Sequence, residues 1–144
     1  MRTALILTFS LIYVWPALAQ PPSSPPVSAK VLGISDQNAV LVERSDKPGI
    51  KLKIQIRAYQ IPHRNGACAF ERDLGHQATK AIQNIVGGKD VHLLNPVPSS
   101  DPRAAQADII NHDGINIGEY LFLELGLAHP TTNTTHIAWC GKGH

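Results

Sequence analysis

Residues 55–63, Gln55-Ile56-Arg57-Ala58-Tyr59-Gln60-Ile61-Pro62-His63, and the nearby stretch Cys68-Ala69-Phe70-Glu71-Arg72-Asp73-Leu74-Gly75-His76-Gln77-Ala78 decide how this chain is read. The first part ends a run in which Ile50, Leu52, Ile54, Ile56 and Ala58 alternate with Lys51, Lys53, Gln55, Arg57 and Tyr59. A period of two sends one set to a buried face and the other to a wet one, so Ile50 to Tyr59 is predicted as a strand. Pro62 closes the following loop. From Ala67 to Val86, Phe70, Leu74, Ala78, Ala81, Ile82 and Ile85 recur at helical spacing and predict an amphipathic helix, ended by Gly87-Gly88.

Two shorter strand-like runs precede this unit. Lys30 to Ser35 is the first; Asn38 to Arg44, with Val40 and Val42 on one face and Leu41 on the other, is the second. Asp36-Gln37 and Ser45-Asp46-Lys47-Pro48-Gly49 supply the turns. After the helix, Lys89 to Asn95 and Ala105 to Asn111 read as strands, separated by a Pro- and Ser-rich loop from Pro96 to Pro102. Asp113-Gly114 marks a turn. Asn116-Ile117-Gly118-Glu119 has the spacing of a capping box and opens a second helix to about Leu127, with Ile117, Leu121, Leu125 and Ala128 on its apolar face. The expected fold class is mainly β with α (α+β): a five-stranded OB-type barrel, a helix between strands 3 and 4, and a C-terminal helix.

The 144 residues suit one domain, placed at 27–144. Arg2, the uncharged apolar run Thr3 to Trp15 and the small-x-small site Ala17-Leu18-Ala19 read as a signal peptide over 1–19. An uncleaved anchor is the alternative, but the run is short for a membrane span and Pro16 interrupts its end. Gln20 to Pro26 is a Pro/Ser-rich spacer that cannot pack. The expectation is a secreted or periplasmic monomer with no stable membrane insertion after cleavage. Cys68 and Cys140, an even count in an exported chain, predict a disulfide rather than two buried thiols.

Loss of Arg2 with the leader leaves 12 of the 13 basic side chains against 11 acidic ones, a net charge of +1 with His neutral. That is not the strongly basic surface of a non-specific nucleic-acid binder, although a local basic groove is compatible with it. Lys51, Lys53 and Arg57 form a stripe on one strand face, a candidate anion-binding track or an ordinary solvated face. The seven histidines show no HExxH or paired spacing, and no metal site is predicted from them. Asn133-Thr134-Thr135 is a glycosylation sequon, relevant only in a eukaryotic secretory pathway.

Val31-Leu32-Gly33-Ile34-Ser35-Asp36, the third strand with its Ile-x-Pro-x ending, Cys68-Ala69-x-Glu71 with Leu74-Gly75-x-x-Ala78, Asp113-Gly114-x-Asn116-Ile117-Gly118 with Leu125-Gly126-Leu127-Ala128, and Trp139-Cys140 occur in one order. In that order and spacing, Val27 to Cys140 resembles staphylococcal-nuclease-like (thermonuclease-like) domains, in particular secreted bacterial members. The resemblance implies a calcium-dependent hydrolase of DNA and RNA phosphodiesters, with carboxylates on the ion, a glutamate at the attacking water and two arginines on the phosphate.

This sequence departs from the pattern where that chemistry would occur. The turn keeps Asp36 but carries Asn38 at one metal-ligand position and Gln60 at the other. Neutral amides bring no charge, and hard-cation affinity depends on ligand charge. Gln55 stands at the first arginine position, His63 at the glutamate, and Ala104 at the second arginine, with Arg103 one residue away. A glutamine cannot clamp a phosphate with a charged fork. The expectation is therefore a non-catalytic binding module for nucleic acid, another anion or a protein, with no cofactor. The alternative is an active nuclease with a rearranged site that uses calcium, His63, Arg57 and Arg103. Tyr59 is a candidate for stacking at the barrel mouth or for packing at the strand end.

Overall fold

A computed structural model describes residues 24–131 and 139–141. The predicted signal peptide, residues 20–23 of the spacer and the sequon lie outside the described residues. Five strands close into a barrel: β1 (Val27–Ile34), β2 (Val40–Arg44), β3 (Lys51–Ile56), β5 (Asp90–Pro98) and β6 (Ala104–Asn111). Helix α1 (Ala69–Val86) lies between the third and fourth barrel strands, and α2 (Ile117–Leu123) follows the fifth. A second, two-stranded sheet joins β4 (Tyr59–Gln60) to β7 (His129–Pro130). Among the described residues no helix is long and apolar enough to cross a membrane.

Around the barrel the order is β1-β2-β3-β6-β5. All neighbours are antiparallel except β3 and β6, which run parallel. Parallel strands need a long crossover, and α1 with β5 supplies it. This is the expected five-stranded OB-type barrel. Alternation places Ile54 and Ile56 of β3 opposite Ala105 and Ala107 of β6 on the inner side. Val31, Val40, Val42, Val91, Leu93 and Ile109 complete the interior, all at most 2% exposed. The small Ala107 facing Ile56 lets the β-branched residues of neighbouring strands interdigitate at interior density.

The alternating third run ends earlier than the sequence predicts. β3 stops at Ile56, Arg57 N–H bonds to Ala107 C=O (2.9 Å), and Ala58 adopts φ +64°. That left-handed step costs an alanine roughly 1–2 kcal/mol. It turns Tyr59 and Gln60 off the barrel to pair with His129 and Pro130. Ile50, expected inward, is exposed because it precedes the first paired residue of β3.

Two later element ends also differ from the sequence pattern. β5 continues to Pro98 through the predicted loop, because a register shift between Leu94 and Val97, with Asn95 at φ +48°, accommodates Pro96. Helix α2 ends at Leu123, and Gly126 (φ +63°) turns the chain so that Leu127 N–H meets Leu121 C=O at 2.8 Å. Leu125 is thereby left exposed, while Ile117, Leu121, Leu127 and Ala128 are buried. On α1 the buried face is Gly75, Ala78, Ile82 and Val86, and Phe70 in the first turn is exposed.

Both helix starts are chemically capped. Asn116 Oδ1 accepts from the N–H groups of Gly118 (3.0 Å) and Glu119 (3.4 Å). Cys68 is the N-cap of α1, and Glu71 Oε2 reaches back to Ala67 N–H (2.9 Å). Cys68 is disulfide-bonded to Cys140, with Cα atoms 5.9 Å apart. On the β2–β3 turn, the Arg44 guanidinium forks onto Asp46 (2.8 and 2.5 Å), raising its own pKa and holding the carboxyl below its ordinary range.

Gly75 sets how closely α1 approaches the loop after β4. A Cβ there would overlap the His63 carbonyl and the Arg64 nitrogen, which are backbone atoms and cannot swing away. Gly75→Ala is expected to destabilise the fold by about 1–3 kcal/mol, seen as a lowered urea midpoint at unchanged slope. Replacing Cys68 and Cys140 together by serine opens a loop spanning 72 positions. The unfolding free energy is expected to fall by as much as about 4 kcal/mol, the chain-entropy figure for a loop of this length, in the same titration.

Candidate functional site

At the end of the barrel where β3 stops, a cleft of about 320 Å³ opens. Gln37, Asn38 and Ala39 of the β1–β2 loop form one wall, and Gln55 and Ile56 of β3 form the floor with Gln106 of β6. The segment after β3 contributes Ala58, Tyr59, Gln60, Ile61 and His63, and Thr131 of the tail completes the rim. Of the residues singled out from the sequence, Asn38, Gln55, Tyr59, Gln60 and His63 are thus brought to one place by three separate elements. Asp36, Ala104, Lys51, Lys53, Arg57 and Arg103 do not line it.

Asn38 is the best-determined residue of the site. It is 1% exposed and takes φ +56°, a left-handed conformation that asparagine tolerates better than most residues. Its Nδ2 donates to Pro62 C=O (2.6 Å) and Gly75 C=O (3.1 Å), and its Oδ1 accepts from the Thr79 hydroxyl. The same hydroxyl lies 2.9 Å from Gly75 C=O. The β1–β2 loop, the loop after β4 and α1 are therefore knotted together by one buried amide. A carboxylate could not take this place, since it has no hydrogen to offer two carbonyl groups.

Asp36, outside the cleft lining, has its carboxylate on Arg64 (2.6 Å), and Arg64 N–H donates to Asp36 C=O (2.9 Å). His63 is exposed; its backbone N–H lies 3.4 Å from Glu71 Oε1. Gln55 stands directly opposite Gln106 in the parallel pair. Tyr59 packs its ring 6.1 Å from Phe122, which lies 6.5 Å from His129, and His129 lies 5.1 Å from Trp139. Thr131 N–H bonds to Ala58 C=O (2.8 Å) and ties the tail to the cleft.

The basic stripe does not stay free as a track. Lys53 Nζ donates to Gln37 Oε1 (2.9 Å), and Arg57 pairs with Asp108 at 3.6 Å. Lys51 is exposed opposite Glu43 of β2. Arg103 lies at the start of β6, where its carbonyl accepts from Lys53 N–H (2.8 Å) and its own N–H bonds to Asp101 (2.8 Å). It lines a separate surface hollow with Lys51 and Pro102. Ala104 opposes Lys53 in the same ladder.

The donor set does not suit calcium. Both polar atoms of Asn38 are committed to the fold, Asp36 is held by a guanidinium, and Gln55 and Gln60 are neutral. Among the described residues no three His, Cys, Asp or Glu side chains gather as a metal site would require. Sequence reading missed Gln106, Gln37 and Thr131 as cleft residues, and Thr79 as the partner of Asn38. A polar residue between Ala105 and Ala107 marks Gln106 as outward-facing, but only the parallel β3–β6 register sets it beside Gln55.

Comparison with protein-family models and with curated proteins returns no match.

Placing a carboxylate at Asn38 is expected to damage the fold rather than create a metal site. Asn38→Asp opposes a carboxylate to the Pro62 and Gly75 carbonyls, and should cost about 2–4 kcal/mol at neutral pH. Thermal unfolding with and without millimolar calcium checks this: calcium is expected to recover none of the lost stability.

Proposed function

We propose that this chain is an exported OB-type barrel of the thermonuclease-like kind whose calcium-dependent phosphodiesterase site has been dismantled, leaving a non-catalytic binding module. The observation that carries this reading is the use made of Asn38. A side chain at a metal-ligand position of the resembled family is turned into the fold and spent on two carbonyls and a hydroxyl. Replacement alone would leave room for a weakened ion site; here both ends of the Asn38 amide, in the cleft wall, are already engaged by groups of the fold.

The other resembled positions support the same conclusion. Gln55 and Gln60 present amides where a guanidinium and a carboxylate would act, and His63 presents an imidazole for a glutamate. Phosphoryl-type transfers are accelerated chiefly by preorganised charge, and here the lining contains no carboxylate and no guanidinium. The Cys68–Cys140 bond supports export, because structural disulfides persist in oxidising compartments. The rearranged nuclease built on His63, Arg57 and Arg103 has less support: His63 alone of the three lines the cleft.

Purified protein incubated with single- and double-stranded DNA and with RNA in millimolar calcium is expected to release no product above the buffer rate. Robust cleavage that chelation abolishes and His63→Ala removes would refute the reading in favour of a working nuclease.

A further inference from the structure

If the chain is a binding module rather than a nuclease, the chemistry of the cleft narrows what it can hold. Gln55 and Gln106 are direct neighbours across β3 and β6. Both are exposed, and neither side chain is engaged by another described residue. Adjacent strands stand about 4.8 Å apart, so two primary amides lie side by side on the cleft floor. Each offers an acceptor and two donors in one plane. Gln37 adds a third amide whose Oε1 is already turned to the Lys53 ammonium. Beside them is Tyr59, half-buried and held by its contact with Phe122.

We propose that this cleft binds a neutral polyhydroxylated ligand, a short oligosaccharide of uncharged hexopyranose units; the proposal rests on the binding-module reading. A hydroxyl both donates and accepts, so neighbouring ring hydroxyls match the adjacent donor and acceptor of a side-chain amide. Paired amides on adjacent strands can grip one sugar unit from two points, and no ion has to be stripped of water on either partner. OB barrels take oligosaccharides as well as oligonucleotides on the strand 2–3 face beside the first loop, the region from which Gln37 and Gln55 arise.

An oligonucleotide fits this surface less well. Its phosphates call for free cations along the backbone path. Two of the guanidinium groups near the cleft face carboxylates, Arg57 that of Asp108 and Arg64 that of Asp36, and Lys53 donates one of its three N–H groups to Gln37. Base stacking calls for open aromatic faces, and Tyr59, packed against Phe122, is the one benzenoid ring among the lining residues.

The test is a titration of the isotope-labelled chain, followed by backbone and side-chain amide resonances, with maltotriose, cellotriose and tri-N-acetylchitotriose as probes and octathymidylate as the competing class. At least one trisaccharide is expected to bind with Kd of about 0.1–3 mM, shifting the Gln55 and Gln106 side-chain amides. The affinity should change little between about 50 and 500 mM salt, since no counterion is released. The double variant Gln55→Ala/Gln106→Ala, altered only at exposed side chains, should keep its melting temperature and bind about tenfold or more weakly. The proposal is overturned if none of the three sugars perturbs the cleft at about 10 mM, or if binding survives the double variant unchanged. Steeply salt-dependent octathymidylate binding without sugar binding also overturns it, while leaving the binding-module reading intact. Calcium-dependent cleavage of nucleic acid would sink both.

Discussion

One buried amide carries the architecture of the cleft. Asn38 sits at the crossing of the β1–β2 loop, the loop through Pro62 and the first turns of α1, and its two ends satisfy a carbonyl from each of the latter two and the Thr79 hydroxyl. Loop carbonyls buried without partners would each cost on the order of 1–3 kcal/mol. The positive φ at Asn38 and the missing side chain at Gly75 are the backbone conditions for this contact. Together they fix where Gln60 and His63 stand relative to the barrel floor. A residue that serves this knot is not available to coordinate an ion.

The opposite rim of the cleft depends on the chain's end. Trp139 packs at a tilt against His129, His129 against Phe122, and Phe122 against Tyr59, while Cys140 is bonded to the start of α1. The β4–β7 pair then presents Thr131 beside Ala58. The left-handed turn at Ala58 is tolerated because both flanking segments are paired: Arg57 to β6 and Tyr59–Gln60 to the tail. The disulfide thus bears on the cleft as well as on stability, by holding in place the segment against which Tyr59 rests.

Much of this was legible along the chain, for a definite reason. The period-two run before Pro62, the apolar stripe of α1 and the turn residues around Asp36 and Asp113 are local signals, set by side-chain direction in strands and helices. They yield the order of the barrel strands and helices and the barrel class, but not the β4–β7 pair. They misplaced element ends wherever tertiary pairing competes with pattern. Tyr59 continues the alternation of β3 but pairs with Pro130 instead; Pro96 reads as a loop but sits in a bulge; Phe70 fits the helical stripe but is exposed in the first turn of α1.

At the site, composition was readable and orientation was not. The sequence by itself determined that amides and an imidazole stand at Asn38, Gln55, Gln60 and His63. It also supplied the two cysteines and the spacing of the helix caps. Only the tertiary structure decided that Asn38 faces inward, that Arg57 and Lys53 are taken up by Asp108 and Gln37, and that Gln106 lies beside Gln55. These depend on contacts between residues far apart in the chain, which closure of the parallel β3–β6 pair brings together and which no local pattern encodes.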